Sequence, residues 1–290
     1  MSGGDRFAGI LAETLAALGA GAIGKARAIT SALAPTTDGE RRAVGHLDEL
    51  LDRARLAAPV TALDGDDLRG WHLVTTGGLL LHRSPHGAAV MHGRYGYLHD
   101  QAARIAEGIE LFAAVLAVWR LAPRRVLFLD EVGSRIVAGT MARLLDVELQ
   151  PVGAGGGEAG AIEVIAAYDL ARAGDGERGR LAERRPGEIL FSHACCWIDP
   201  GALVADATTL LYQRLRAPWE PGLEQGEVAP AATLDDDAVE GWIEAVAAAA
   251  TPVPPTDRAA LLALAAITPP PAWGRRRALG VPWPIETPLL

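Results

Sequence analysis

Hydrophobic positions recur every three to four residues toward both ends of the chain and in short unbroken runs at its centre. That contrast points to helices flanking a buried sheet. Residues 5–34 are rich in Ala and Leu with few β-branched residues, which predicts helix. Thr37, Asp38, Gly39 and Glu40 fit a capping box, and Val44, Leu47, Leu50, Leu51 and Ala54 then share one helical face, predicting a second helix over 38–57. In 71–97 short apolar runs are broken by Gly-Gly, Ser-Pro and His-Gly, a texture expected of antiparallel strands with turns. Ile105, Ile109, Phe112, Leu116 and Trp119 predict a long buried helix closed by Pro123.

The centre is the most patterned part. "RRVLFLDE" reads as a strand covered on both faces, residues 134–145 as a helix and "VELQPV" as a second strand. The glycine-rich "GAGGGEAG" leads into an expected helix at 161–173, and a charged linker follows at 174–187. "EILFSHACC" reads as a third strand and "DPGALVADATTLLYQRL" as a third helix. Three β-α units in succession imply a parallel sheet with right-handed crossovers. Beyond Pro218 helices are expected near 235–249 and 256–267, and the last twenty residues, dominated by Pro and Arg, are expected to wrap the surface or dangle.

The expected fold is therefore α/β: a parallel-sheet, three-layer, Rossmann-like core with a helical N-terminal segment (1–60), a small antiparallel element inside 61–217, and a helical, Pro-rich extension over 218–290. These are expected to form one structural domain. With 290 residues, half of them apolar and 22% charged, the chain has a globular composition. Its Ala, Gly, Pro and Arg usage is of the bacterial, high-GC type. The net charge of −9 disfavours nucleic acid and anionic membrane as partners. The densest basic cluster, Arg275, Arg276 and Arg277, is read as part of a solvated tail. Asp5 and Arg6 do not form a basic leader, and Glu13 interrupts the apolar stretch that follows, so a soluble cytoplasmic protein is expected.

Gly19, Gly21 and Gly24 match G-x-G-x-x-G, but "AETLAAL" before them forms helix and not strand, so a helix junction is expected. The same spacing at Gly155, Gly157 and Gly160 follows a strand, where glycine amides can approach an anion closely. Residues 153–157 superficially resemble the glycine loop of S-adenosylmethionine-dependent methyltransferases, but Pro151 stands where that family has an acid. The resemblance is not adopted.

Ligands of open parallel sheets bind outside the carboxyl ends of the strands. The first strand ends in Asp130, Glu131 and Ser134, the second in Gly153, Gly155, Gly157, Glu158 and Gly160, the third in Ser192, His193 and Cys195. Asp130 or Glu131 would bind Mg²⁺ on a phosphate or accept a proton, and His193 is the candidate acid/base. Alternatively Asp130 caps the next helix and Glu131 is solvated. "LDEV" resembles the acidic pair of phosphoribosyltransferases, yet "GSRIVAGT" departs from their threonine- and glycine-rich loop, and the match is read as coincidence. Cys195 with His86 vaguely resembles a caspase-type dyad, with twice the usual spacing. The neighbouring Cys195 and Cys196 are not expected to pair. His72, His82, His86, His92 and His99 match no zinc spacing and are read as turn and strand-end residues.

The leading expectation is a protein that handles an anionic or nucleotide-like small molecule, a nucleotide or phosphorylated metabolite with Mg²⁺ being open as cofactor. A non-catalytic binding or assembly subunit with a degenerate site is the alternative, and a cysteine hydrolase using Cys195 the third. The interface-type residues Trp197, Trp219, Trp242, Trp273 and Trp283 suit the alternative. Homo-oligomerisation is open.

Overall fold

The computed structural model describes residues 3–85, 91–153, 160–198, 203–220, 234–249 and 255–268. The chain divides into two compact units, one of Met1–Gly77, His86–Gly93 and Leu279–Leu290, the other of Gly78–Pro85 and Arg94–Ala278.

In the first unit the described residues form α1 (Gly3–Gly19), α2 (Ile23–Thr30), α3 (Asp38–Ala57) and α4 (Leu68–Thr76). Gly21 takes φ +72° between α1 and α2, a conformation only glycine adopts without strain. The first G-x-G-x-x-G is thus a helix junction. The capping box on α3 is formed: Glu40 N–H donates to Thr37 Oγ1 at 3.2 Å, and Thr37 N–H donates back to Glu40 Oε2 at 3.1 Å. Leu47, Leu50, Leu51 and Ala54 are buried, as their spacing predicts.

α4 overturns the strand expected from Trp71 onward. Its N-cap Asp67 accepts from Gly70 N–H at 2.9 Å, and Gly77 ends it in the left-handed region at φ +74°. Residues from Leu68 to Thr75 are all buried, so this helix shows no polar face by which periodicity could identify it.

In the second unit the described residues form a seven-stranded sheet of β1 (Leu79–Leu80), β2 (Tyr95–His99), β3 (Arg125–Phe128), β4 (Glu148–Pro151), β5 (Glu163–Asp169), β6 (Glu188–Cys196) and β7 (Ala207–Arg216). The order is β1-β7-β6-β5-β3-β4, with β2 also on β7, and every pairing is parallel. The parallel α/β core is as the pattern predicts. The antiparallel element is not: β1 pairs with Ala207 and Thr208, and β2 resumes beside Tyr212 in the same direction. The two are pieces of one interrupted edge strand. His82, where the chain leaves, and Tyr95, where it returns, are joined by a 2.8 Å bond between His82 Nε2 and Tyr95 Oη.

Two segments read as helix are strands. β5 replaces the helix expected at 161–173, and β7 the helix expected after Asp199. Every residue of β5 is buried, as are the first six of β7, so neither alternates in polarity. A central strand buried on both faces carries no two-residue period, and the Ala and Leu in these runs favour helix locally. A single 3₁₀ turn (Leu170–Arg172) follows β5, and the charged stretch read as linker contains α7 (Asp175–Ala182).

The sheet is covered on both faces. Leu127, Ile165, Ala167 and Leu190 pack with Leu170 and with Leu181 of α7. On the opposite face lie α5 (Ala102–Trp119) and α6 (Val132–Leu145), where Phe112 of α5 meets Phe191 of β6 at 4.9 Å between rings. Helices α8 (Asp236–Ala248) and α9 (Pro255–Ile267) match the helices expected after Pro218. Where β3, β5 and β6 begin, Arg125, Glu163 and Glu188 stand in register. Arg125 donates to Glu163 at 2.5 Å and Arg185 to Glu188 at 2.8 Å, so the buried acids at this edge are paired. Among the described residues no helix is long and apolar enough to cross a membrane.

Candidate site at the carboxyl edge of the sheet

From β3 the chain passes to β4 on one side, and β5, β6 and β7 extend the sheet on the other. The direction of winding therefore reverses between β3 and β5, and the crevice at a doubly wound sheet's reversal is its usual ligand position. β3 and β4 are neighbours, as the crevice requires, but β5 stands between β3 and β6.

Asp130, Glu131 and Ser134 lie together at the end of β3. Glu131 is the N-cap of α6, its carboxylate accepting from Gly133 N–H at 2.9 Å, Ser134 N–H at 2.7 Å and Ser134 Oγ at 3.0 Å. The positive end of the helix is thus already holding an anion, supplied by its own cap. The cap is Glu131, where Asp130 was the candidate. The Asp130 carboxylate is exposed, while its N–H donates to Glu177 Oε1 at 2.8 Å. Gly133 admits close packing here: a Cβ on it would lie 2.7 Å from the Trp219 ring and 2.8 Å from Tyr168 Cβ.

Gly153 and Gly160 frame the glycine-rich connection from β4 to β5 with φ +95° and +85°, and a Cβ on either would meet open space. Gly155, Gly157 and Glu158 lie outside the described residues.

Ser192 and His193 do not line the crevice with these groups. Both are fully buried, and Ser192 Oγ donates to the Ala194 carbonyl at 2.6 Å. His193 Nε2 stands 2.8 Å from Asp100 Oδ2, and Tyr168 donates its hydroxyl to the same oxygen at 3.1 Å. The Tyr168 ring stacks on His193 at 5.4 Å and 16°. Arg104 reaches the other Asp100 oxygen at 3.2 Å, while His193 Nδ1 is buried without a hydrogen-bond partner among the described residues. Burial opposes the charge on Asp100, but His193 and Arg104 outweigh it and hold the carboxyl below its ordinary pKa. Burial pushes the Tyr168 phenol up. Tyr168 also joins the two sets, since its N–H donates to Ser134 Oγ at 3.2 Å.

A second polar cluster ends β5. Asp169 accepts from Tyr212 Oη at 2.6 Å and from Ala171 N–H at 3.0 Å, and Arg172 lies 3.5 Å away. Burial raises the Asp169 carboxyl above its ordinary value despite these partners. Arg172 pairs with Glu220 at 2.5 Å; burial works against its charge, yet Glu220 and Asp169 hold its pKa above the usual. Sequence reasoning missed Tyr168, Asp169 and Arg172 because their strand was read as helix, and Asp100 because it reads only as a helix boundary.

Cys195 and Cys196, each half-buried, are not joined in a disulfide, and strand alternation sends them to opposite faces of β6. The His193 Nε2 is engaged by Asp100. His86, the other candidate partner, lies outside the described residues. Of the remaining histidines, His82 bonds Glu107 and Tyr95, His92 approaches Asp66 at 3.4 Å, and His72 is buried in α4. Among the described residues no three His, Cys, Asp or Glu side chains are grouped to hold a metal ion.

No known family model matches this chain, and neither does any curated protein. Sixteen chains of solved structures match it. One is a purine phosphoribosyltransferase from Pyrococcus horikoshii Ot3, at 15% identity and a TM-score of 0.35, covering 44% of this chain and 99% of that one. A likeness of that degree says nothing of activity. The fold is an α/β parallel sheet with helices on both faces.

Proposed function

We propose that the protein handles a small anionic or nucleotide-like molecule in the crevice where winding reverses between β3 and β5. Asp130 is the observation that carries this reading. Glu131, Asp169, Glu177 and Glu220, the other carboxylates described around it, are each committed to backbone N–H groups or to Arg172. Asp130 alone in that set keeps an exposed carboxylate without a hydrogen bond among the described residues. Such a group can coordinate Mg²⁺ carried on a phosphate or accept a proton from a bound hydroxyl. In this reading the amides of the glycine-rich connection form the facing wall, with Gly155, Gly157 and Glu158 in it.

The experiment is a thermal-shift screen against nucleotides, phosphorylated metabolites and Mg²⁺. A ligand at a hundredfold excess over Kd stabilises the native state by about 2.7 kcal/mol. The expected result is a hit abolished by Asp130→Ala and by Gly155→Val; a blank panel overturns the reading.

One observation favours a second reading, a non-catalytic assembly subunit. The N-terminus of α6 is filled by Glu131, and Trp219 packs against Tyr168 at 4.8 Å and on Trp242 at 5.8 Å. The position a bound anion would take is then closed by the protein's own groups. This reading is tested by a search for a partner retained by the intact protein and lost on substitution of Trp197.

A further inference from the structure

The opposite, amino edge of the sheet carries a groove of about 430 Å³ between α6, β4 and α8. Its apolar floor includes Ala142, Val147, Leu149 and Ile243. Leu149 is 39% exposed, so apolar surface of the groove reaches solvent. Its rim is acidic. Asp146, Glu148 and Glu240 line it, and the only cation among the lining residues, Arg143, is already paired with Glu240. Asp146 caps α6 in the left-handed conformation, at φ +54°, beside the helix's last carbonyls, whose partial negative charge adds to its own. The occupant that fits is therefore a cationic segment with apolar residues beside it.

The chain carries such a segment: Arg275, Arg276 and Arg277, with Trp273 before them and Ala278 after. Their departure point lies at the same edge. The Trp119 indole, at the end of α5, donates to the Ala265 carbonyl near the end of α9 at 3.1 Å. α5 leads directly to the start of β3, where Arg125 pairs in register with Glu148, a residue of the groove. From Thr268 the seven residues to Arg275 span up to about 24 Å when extended. The full width of the sheet from β1 to β4, five inter-strand steps, is also about 24 Å.

We propose that the groove between α6, β4 and α8 is the docking site for the chain's own segment around Arg275, Arg276 and Arg277. The arginines face Asp146 and Glu148, and the neighbouring apolar side chains cover Leu149.

The test is hydrogen–deuterium exchange of the full-length protein, read over residues 142–149, for wild type and for the triple variant R275E/R276E/R277E. Docking predicts that exchange there rises several-fold in the variant and in 0.5 M NaCl, with no change in β6. Adding Asp146→Arg to the triple variant is expected to restore protection, a recovery that general unfolding would not give. Exchange unaffected by the triple reversal overturns the proposal. So does protection that grows with protein concentration, which would place a second copy in the groove instead. Wild-type protection that survives removal of 269–290 overturns it as well.

Discussion

Asp100, just before α5, and His193, on β6, meet at 2.8 Å with 2% and 0% of their surfaces exposed. Two ionisable groups held this deeply depend on their pairing: removing Asp100 takes from the buried His193 the hydrogen-bond partner of its Nε2. Asp100→Ala is expected to cost about 3–5 kcal/mol, measured by urea unfolding at pH 7. The pH dependence follows from the lowered Asp100 pKa. An unfolded Asp titrates near 4, so the contribution is fully present above that and lost as pH falls through the lower folded value. Asp100→Asn should therefore flatten the acid limb of the stability curve below about pH 4.

His72 gives a second pH effect, of different range. Burial alone pulls its pKa down to about 4. The unfolded chain takes up this proton near pH 6.5, before the folded chain does, so stability is full above that and falls as pH drops toward 4. The loss amounts to about 3 kcal/mol across that window. His72→Leu should remove this slope between pH 6.5 and 4 in unfolding measurements while leaving the Asp100 limb in place. A slope that persists in the variant would assign it to other groups.

Two glycines predict opposite signs. Gly133→Ala would drive a methyl into Trp219 and Tyr168, and overpacking of this kind costs about 1–3 kcal/mol. Gly179 in α7 has nothing within 4 Å of the corresponding position. Gly179→Ala is expected to stabilise by about 0.5–1 kcal/mol through helix propensity and a less flexible unfolded chain. The melting temperatures of the pair, taken under one condition, check both.

Glu131→Ala removes the cap of α6 and should cost about 1 kcal/mol. It also exposes the amides of Gly133 and Ser134 to solvent anions. If the carboxylate is what closes this end, the variant gains stability on addition of phosphate or sulfate to an extent the wild type does not. Equal responses of the two proteins would show that the amides stay inaccessible without Glu131, with Trp219 as the closing group.

Legibility in the sequence followed exposure. α3 was readable because Thr37 and Glu40 mark its start and Leu47, Leu50 and Leu51 contrast with charged neighbours. β3, short and bounded by Arg125 and Asp130, was readable for the same reason. β5 and β7 were not, since burial on both faces erases the period that names a strand. The site inherits that loss. Asp130, Glu131 and Ser134 were found because their strand was found, whereas Tyr168, Asp169 and Arg172 follow a strand mistaken for a helix. Asp100 is invisible to any local pattern: its partner lies 93 residues away on β6.

The interrupted edge strand decides how this molecule can be cut. The path leaves β1, contributes His86–Gly93 to the other unit, and comes back to form β2. A truncation after Gly77 would strip the first unit of a piece of itself, while a fragment starting at Gly78 would carry that piece as an orphan. Dissection into halves at one peptide bond therefore yields two incomplete bodies, because the first unit draws both 86–93 and 279–290 from beyond the cut.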